Sequence, residues 1–369
     1  MVVMLRSDVE QLAERSLLRA LMDDPTPVGE VRGWLRPGDF TDTWHRALYT
    51  GVIERHVAGE SVDPQAMADA LTDRLGARLA DRPRFAALIT ATPYTPNALA
   101  YARMVLDTGL RRELVGLGVL LRAGAVQSAV DRTSVPLTTT CNLVDVGLDA
   151  AASRWAAATG VAQPQENVVP LALRAAFRNG EAQEGAARYV EAHAGRDVEA
   201  ERSHVVALVG ALIAHPEAVG EVASWLPIAA IGDPGWRLIY GTTIELTELG
   251  EPVDLVTVAW TARQHAQHGP ALPSLEELGQ AVEAGWYAFP TVTARTVATD
   301  QARRLADTGA RQLQQAAANP GVLIGDLVDT GHTITDALRR TAAVLPVDHD
   351  TTARVIALPS VSRAQELAR

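Results

Sequence analysis

Hydrophobic residues recur at helical spacing along most of the chain. Leu17, Leu18, Leu21 and Met22 fall on one face of a helix. A longer stripe has steps of four, four, three and four residues and comprises Leu106, Leu110, Leu114, Leu117 and Leu121. We find no convincing alternation of period two bounded by hairpin turns, which strands would require. The pattern therefore predicts an all-α fold.

Turn signals divide these runs into short helices followed by two longer ones. Asp24-Pro25, Arg36-Pro37-Gly38 and Gly59-Glu60 separate the short helices. The longer helices are predicted at about 103–132 and 142–158, with a break formed by Ser134-Val135-Pro136 and a run of threonines. A short break between long amphipathic helices is typical of an antiparallel hairpin.

The same pattern occurs twice. Residues 18–67 match residues 209–258 without a gap at a constant offset of 191, and 18 of the 50 positions are identical. The repeated residues include Trp34/Trp225, Asp42/Asp233, Arg46/Arg237, Tyr49/Tyr240, Gly59/Gly250 and Asp63/Asp254. Later segments match in the same order, with Arg111-Arg112 returning as Arg303-Arg304 and Leu143-Val144-Asp145 as Leu327-Val328-Asp329. We interpret the chain as a duplicated domain, with the repeated tryptophans and tyrosines as core anchors.

The duplication predicts two tandem helical-bundle domains, each followed by a long antiparallel hairpin. The first domain is expected at 1–158, with its bundle at about 10–102 and its hairpin at about 103–158. The second is expected at 198–345, with its bundle at about 198–291 and its hairpin at about 292–345. Residues 159–197 are predicted to be a partly helical connector, and 346–369 an extended or loosely docked tail.

Composition favours a folded, cytoplasmic protein. Of the 369 residues, 47% are hydrophobic and 21% charged, which is enough apolar material for a core. The longest apolar run, Val205 to Ala214, is shorter than the ~20 residues of a membrane span, and the N-terminus does not resemble a signal peptide. Cys141 is the single cysteine, which excludes intrachain disulfides and cysteine-based zinc sites.

The charged residues exclude several kinds of chemistry. All 33 basic residues are arginine, so the sequence contains no Walker A lysine and no Schiff-base lysine. The net charge of −11 argues against strong nonspecific binding to nucleic acid, which requires clustered cations, so direct binding is expected to be weak or absent. We expect no enzymatic activity and no cofactor.

Several further segments follow one another in a fixed order. The first copy opens with the run from Ala13 to Pro25, and the second copy has a comparable start before Pro216. Asp39-Phe40 and His45-Arg46 come next, followed by the turn from Gly59 to Asp63 and a stretch containing Thr92-Pro93, Asn97, Tyr101-Ala102, Val105 and Arg111-Arg112. In their order and spacing these segments resemble the N-terminal domain of DnaB-type replicative helicases. The resemblance covers most of 12–158 and, more weakly, 200–345.

In the family this domain pairs through its hairpin, builds a ring on the helicase and receives primase or a loader. The resemblance therefore implies a non-catalytic replication accessory protein that binds replicative helicase, primase or a helicase loader, with homo-oligomers as a further implication. The alternative is a scaffold or regulator that reuses the fold outside replication. The arginines of the long helices form either a solvated face or a partner-binding surface: Arg103, Arg111, Arg112, Arg122, Arg295, Arg303, Arg304 and Arg311.

Other signals are weaker. The stretch from Val322 to Thr333 is similar to a phosphoribosyltransferase loop, but Leu323, Leu327, Ile334 and Leu338 keep a helical period. His265 and His268 lie one turn apart without a third ligand nearby, so we expect surface residues and no metal site. Asp23-Asp24 is interpreted as a helix end, His45 as a packing residue and Cys141 as a structural thiol.

Overall fold

The computed structural model describes residues 2–76, 80–91, 97–161, 181–193, 195–266 and 269–345. Every regular element in these ranges is helical, which confirms the predicted all-α class. The first copy contains α1 (Val2–Asp23), α2 (Val28–Trp34), α3 (Thr43–Ala58), α4 (Pro64–Leu75), α5 (Arg82–Ala91), α6 (Ala98–Asp131) and α7 (Val135–Thr159). The connector contributes α8 (Glu181–Ala192). The second copy contains α9 (Val198–Ala214), α10 (Val219–Ala223), α11 (Pro234–Leu249), α12 (Leu255–His265), α13 (Leu275–Gly285), α14 (Pro290–Ala318) and α15 (Ile324–Ala342).

Residues that are identical between the copies begin the same helices. The Asp42 carboxylate accepts hydrogen bonds from two backbone amides of the first turn of α3, and Asp233 does the same for α11. Asp63 and Asp254 bind amides in the first turns of α4 and α12. Each carboxylate satisfies amides that have no partner within the helix. The repeated aspartates are therefore N-caps.

Glycine ends α3 and α11 in the same way. Gly59 and Gly250 adopt φ values of +73° and +71°, a left-handed conformation that costs glycine little because it has no Cβ. Their backbone amides bind carbonyls of the preceding turn, including those of His56 and Thr247. The turn that follows each helix is thus fixed at equivalent positions.

The repeated tyrosines anchor the two cores as the sequence predicts. Tyr49 and Tyr240 are completely buried, and their hydroxyls donate to the carbonyls of Leu35 and Leu226 at 3.4 and 2.9 Å. These acceptors are themselves aligned in the repeat. Burial raises the pKa of both phenols well above 10, so they stay protonated and keep donating at neutral pH.

The long helices of each copy form an antiparallel hairpin. In the first, Arg103 donates to the carbonyl of Ala158 at 2.7 Å, while a Cβ on Gly124 would lie 2.5 Å from the Thr140 hydroxyl. In the second, a Cβ on Gly309 would lie 2.6 Å from the Ile334 side chain. The absence of a Cβ at these glycines lets the paired helices approach closely.

The predicted break in the first hairpin is too long. Helix α7 begins at Val135, so Pro136 and the threonine run belong to the helix and not to a connection. Proline is tolerated in a first turn because its missing N–H would have no helical partner there. The Thr140 hydroxyl returns a hydrogen bond to the Pro136 carbonyl at 2.8 Å. The threonines are thereby accommodated within regular helix.

The structure contains two compact units, and each unit is built from three segments that are not consecutive in the sequence. Unit 1 comprises the described residues of Met1–Leu117, Asp145–Gln183 and Gln312–His332. Unit 2 comprises those of Gly118–Val144, Glu184–Arg311 and Thr333–Arg369. Each unit therefore combines the bundle of one copy with the hairpin turn of the other copy.

One described helix is long and apolar enough to cross a membrane by length and composition, namely α6, and the sharply bent pair α9 and α10 passes the same test only if counted together. Just over half of the apolar window of α6, 56%, is buried inside the protein, as in the core helix of a globular fold.

Within the predicted connector, residues Glu181–Ala192 form α8. Residues 162–180 of the connector and the tail from 346 lie outside the described residues.

Candidate functional site

The arginines predicted from the sequence as a partner surface lie on two corresponding helices. Arg103, Arg111, Arg112 and Arg122 belong to α6, and Arg295, Arg303, Arg304 and Arg311 belong to α14. The repeat places them at matched positions along the first helix of each hairpin. Their side chains nevertheless serve different contacts.

Arg112 and Arg304 make the same internal contact in the two copies. A terminal nitrogen of Arg112 donates to the carbonyl of Asp39, and a second one donates to the Thr41 hydroxyl at 2.9 Å. Arg304 donates to the carbonyl of Ala230, which is the residue aligned with Asp39, at 2.7 Å. Arg112 thus connects α6 to the loop that precedes α3, and Arg304 connects α14 to the loop that precedes α11. These donors have a structural role.

Arg111 joins the hairpins of the two copies within unit 1. Its guanidinium forms a two-pronged ion pair with Asp107, one turn earlier on α6, at 2.8 and 3.1 Å. The same group donates to the carbonyls of Asn319 and Val322, in the turn between α14 and α15, at 3.0 and 2.8 Å. Arg111 is only 5% exposed, so the contact is made largely away from water. An arginine of the first copy therefore binds two carbonyls in the turn of the second hairpin.

Further contacts between the hairpins surround this arginine in unit 1. His332 of α15 lies between two carboxylates of α7, with its ring nitrogens 3.3 Å from Asp145 and 3.3 Å from Asp149. The Leu148 side chain covers Gly331, where any Cβ would collide with it. The turn of the second hairpin is thus built into the unit that holds the first bundle.

Unit 2 contains the reciprocal contact. Arg122 of the first hairpin pairs with Asp307 of α14 at 2.8 Å, and Arg311 approaches the other oxygen of the same carboxylate at 3.4 Å. Arg339 of α15 donates to the side-chain oxygen of Asn142 at 3.3 Å. Arg122 is 40% exposed, so water screens this ion pair more than the contacts of Arg111.

The three other predicted arginines lie in different surroundings. Arg103 binds the last turn of α7 through the Ala158 carbonyl, and Arg303 is half-buried in unit 2. The Arg295 side chain is exposed, one turn after the exposed Val292. Most of the eight arginines therefore use their donors within the chain, and Arg295 and Arg311 present the most accessible charge.

A buried ion cluster around Arg154 was not anticipated from the sequence. Arg154 of α7 donates to the Trp34 carbonyl at 2.9 Å and to Glu113 at 2.8 Å, and a further nitrogen binds Asp39. Burial raises the pKa of Glu113 above its ordinary value, while Arg154 opposes this shift. The partners are far apart in sequence, so helical periodicity gives no signal for the cluster.

His45 is a packing residue, as predicted. Its Nδ1 lies 2.7 Å from Glu14, whose other oxygen accepts the backbone amide of Thr41 at 2.6 Å. Both side chains are about 2% exposed. The repeat aligns His45 with Trp236, which is buried in the second core. The polar side chain in the first copy thus corresponds to a largely apolar one in the second.

The phosphoribosyltransferase-like stretch is helical. Asp326 and Asp329 lie on α15, and no strand precedes them in the described stretch from 269. A phosphate-binding loop needs a strand followed by a loop and a helix N-terminus. The geometry for that chemistry is therefore not formed, in agreement with the helical period seen in the sequence.

The remaining polar candidates have structural surroundings. Helix α1 ends at Asp23, as predicted, and burial raises the pKa of the Cys141 thiol to about 11, which leaves it unreactive at neutral pH. His265 lies 3.6 Å from Glu245, whereas His268 falls outside the described residues. In the ranges given above, no group of three or more His, Cys, Asp and Glu side chains could hold a metal ion.

Comparison with known proteins matches both copies to one family. The sequence model of the family described as DnaB-like helicase N terminal domain matches residues 7–107 and 195–284, which together form more than half of the chain. The chain belongs to this family. Its two matched segments coincide with the two bundles, and the hairpins of the structure follow each of them.

Curated relatives of the family match only a part of this chain. The replicative DNA helicase DnaB of Nostoc sp. is 31% identical over 107 residues, which cover 29% of this chain and 12% of that protein. The protein of the same name from Mycobacterium leprae is 32% identical over 108 residues, covering 29% and 18% of the two chains. No solved structure matches. The alignments thus span less than a fifth of these helicases.

Proposed function

We propose that this protein is a non-catalytic DNA-replication accessory factor, a helicase-collar-like module that binds replicative helicase, primase or a helicase loader. Membership of the DnaB-like N-terminal family supports a role in replication. The sequence contains no lysine and therefore no Walker A lysine, which supports a binding role over nucleotide hydrolysis. With a charge of −11, proteins and not nucleic acid are its expected partners.

The observation that carries the proposal is the meeting of both hairpins in one chain. Arg111 of the first hairpin binds the turn of the second through Asn319 and Val322. The resemblance to the DnaB-type family implies that there the hairpins of separate subunits pair with one another. Covalent linkage replaces that association by an intramolecular step with a high effective concentration. The protein would thus supply a preassembled pair of collar domains at any concentration.

The proposal is tested by binding to purified replication proteins. The full chain is mixed at micromolar concentration with the replicative helicase of its host, with a helicase lacking its N-terminal domain, with primase and with loader, and each mixture is analysed by size exclusion with light scattering. We expect co-elution with at least one intact partner and no ATP hydrolysis by the protein alone. Failure to co-elute with any of them would contradict the proposal.

A variant provides the matched control for this assay. Arg111→Ala removes the donors that join the hairpins, whereas Arg32→Ala removes an exposed arginine of the same unit. If a paired collar is the binding element, Arg111→Ala should weaken co-elution and Arg32→Ala should not. A pull-down from the native host that recovers only proteins unrelated to replication would favour the scaffold alternative instead.

A further inference from the structure

Three large aromatic side chains are exposed together between α13 and α14. Trp286, Tyr287 and Phe289 are 61%, 91% and 76% exposed. We call these three residues the aromatic loop. Val292, in the first turn of α14, is 62% exposed and continues the apolar surface. Such residues are normally buried, so their joint exposure requires an explanation.

The backbone of the aromatic loop is held in one conformation. The amide of Tyr287 donates to the carbonyl of Ala284, and the amide of Ala288 donates to Gly285 at 3.0 Å. The Phe289 carbonyl accepts the Thr293 amide at 3.0 Å, which fixes the start of α14. The aromatic side chains are therefore presented by an ordered turn, and a ligand would not have to order it.

The size of the exposed surface fits a short segment of a partner. Aromatic side chains bury ~150–250 Å² each, so the exposed fractions of these three correspond to about 350–550 Å². Stable protein pairs bury about 800 Å² on each partner. The aromatic loop alone is thus too small for a stable dimer of two copies, but it is large enough to anchor a peptide.

Carboxylates surround this surface. Glu283 lies in the last turn of α13, three residues before Trp286, and Glu221 approaches the Thr291 hydroxyl at 3.5 Å. Glu217 lies 3.7 Å from His215, whose ring contacts Trp286 edge-on at 5.7 Å between centroids. Arg295 is the exposed cation that follows on α14.

The charge balance selects the kind of occupant. Acidic groups outnumber cations around the aromatic loop, and the whole chain carries −11. A second copy would bring the same negative charge, and nucleic acid would be repelled as well. A segment that carries arginine or lysine beside apolar side chains complements both features, because cations are also attracted to aromatic faces.

We propose that the aromatic loop is a docking site for a short basic, apolar segment of another protein. Apolar side chains of that segment cover Trp286, Tyr287 and Phe289, while its cations face the surrounding glutamates. Trp and Tyr are the residues that most often dominate binding energy at such sites. This inference does not depend on the replication role and stands or falls separately.

The test uses three labelled synthetic peptides of 20 residues and the full-length protein. The first alternates leucine with arginine and lysine at helical spacing, the second replaces its cations by glutamate, and the third replaces its leucines by serine. We expect the first peptide to bind in fluorescence anisotropy and the others to bind at least tenfold more weakly. Binding should also shift tryptophan emission to shorter wavelength, and Trp286→Phe should abolish that shift while largely preserving affinity.

Matched variants locate the site. The triple variant W286S/Y287S/F289S should bind the first peptide at least tenfold more weakly, and E217Q/E221Q/E283Q should reduce both the affinity and its dependence on salt. Leu249→Ser changes an exposed apolar residue elsewhere in the same unit and should leave binding unchanged. Circular dichroism should give the same helicity for all of these variants, because the altered side chains are exposed.

Two outcomes would overturn the inference. Unchanged peptide affinity in the triple aromatic variant would place binding elsewhere. A wild-type dimer in light scattering that becomes monomeric in W286S/Y287S/F289S would mean that a second copy, and not a basic segment, covers the aromatic loop.

Discussion

Replacing Arg154 by leucine tests the role of the buried ion cluster. Its guanidinium is 7% exposed and the side chains of Asp39 and Glu113 are 5% and 12% exposed. Leucine would leave both carboxylates buried without their common cation, and the Trp34 carbonyl would lose its donor. Breaking a buried ion pair by removing one partner costs about 3–5 kcal/mol. We expect a loss of that size in the unfolding free energy.

The loss should be visible as a large thermal shift. For a folding unit of 150–250 residues, 1 kcal/mol corresponds to about 2–4 °C, so the melting temperature should fall by roughly 6–20 °C in calorimetry. Arg32→Leu, an arginine exposed in the same unit, is the control and should change it by less than 2 °C. An equally small shift for Arg154→Leu would refute the assignment of the cluster as a stabilising element.

The effect should depend on pH in a defined direction. Burial already raises the pKa of Glu113 above 4.5, and removal of Arg154, which opposes that shift, raises it further. A carboxyl group with a raised pKa in the folded state contributes its stability at low pH and loses it as the pH rises through the folded-state pKa. The destabilisation by Arg154→Leu should therefore be smaller near pH 5 than at pH 7. A constant loss across this range would contradict the reasoning.

The second copy indicates how the loss can be reversed. The repeat aligns Asp39, Glu113 and Arg154 with Ala230, Leu305 and Leu338. Replacing a whole buried ion cluster by apolar residues of similar volume is often neutral or stabilising. The triple variant D39A/E113L/R154L should therefore regain most of the stability that Arg154→Leu loses. If the triple variant melts as low as the single one, the two copies do not use equivalent packing.

Three shorter predictions concern other contacts. Gly210→Ala should lower the free energy of unfolding in urea by about 1–3 kcal/mol, because the new Cβ would overlap the Ala281 carbonyl. Its control is Gly220→Ala, which should be neutral or slightly stabilising because no atom lies within 4 Å of the added Cβ. Tyr240→Phe should cost about 1–3 kcal/mol by leaving a buried carbonyl without a donor, and an equal cost for phenylalanine at an exposed tyrosine would argue against this cause. In a spectrophotometric titration, the two buried phenols should stay protonated beyond pH 10 until the protein unfolds, and stability should fall above that pH because only the unfolded tyrosines ionise.

The sequence predicts those parts of the fold that depend on local signals. The turn predicted at Gly59-Glu60 is where α3 ends, and Gly250 ends α11 in the same way, because glycine meets this backbone requirement within a few positions. The buried Tyr49 recurs as Tyr240 because the helix that carries it recurs at the same offset. The internal repeat strengthens each of these signals, since a position that recurs at offset 191 is unlike a chance match.

The candidate site is less accessible to such reasoning, because its side chains make contacts between residues that are distant in the sequence. The hydrogen bond from Arg111 to Asn319 joins positions 208 residues apart, and that from Arg154 to Asp39 joins positions 115 apart. A helical arginine gives the same local pattern whether it faces water or a carbonyl. Trp286 and Phe289 likewise resemble core residues in sequence, and only their exposure marks them as a surface.

The differences between the copies are coordinated. Gly109 leaves room for Asp39, since a Cβ there would lie 2.6 Å from its carboxylate oxygen. In the second copy, the repeat aligns Ala230 with Asp39 and Gln301 with Gly109. The smaller residue at the first position is thus accompanied by a larger residue at the second. Either change alone in the first copy would create a cavity or a collision, so the two differences compensate each other. The second copy has a packed core of its own, and its aromatic loop is displayed on that core.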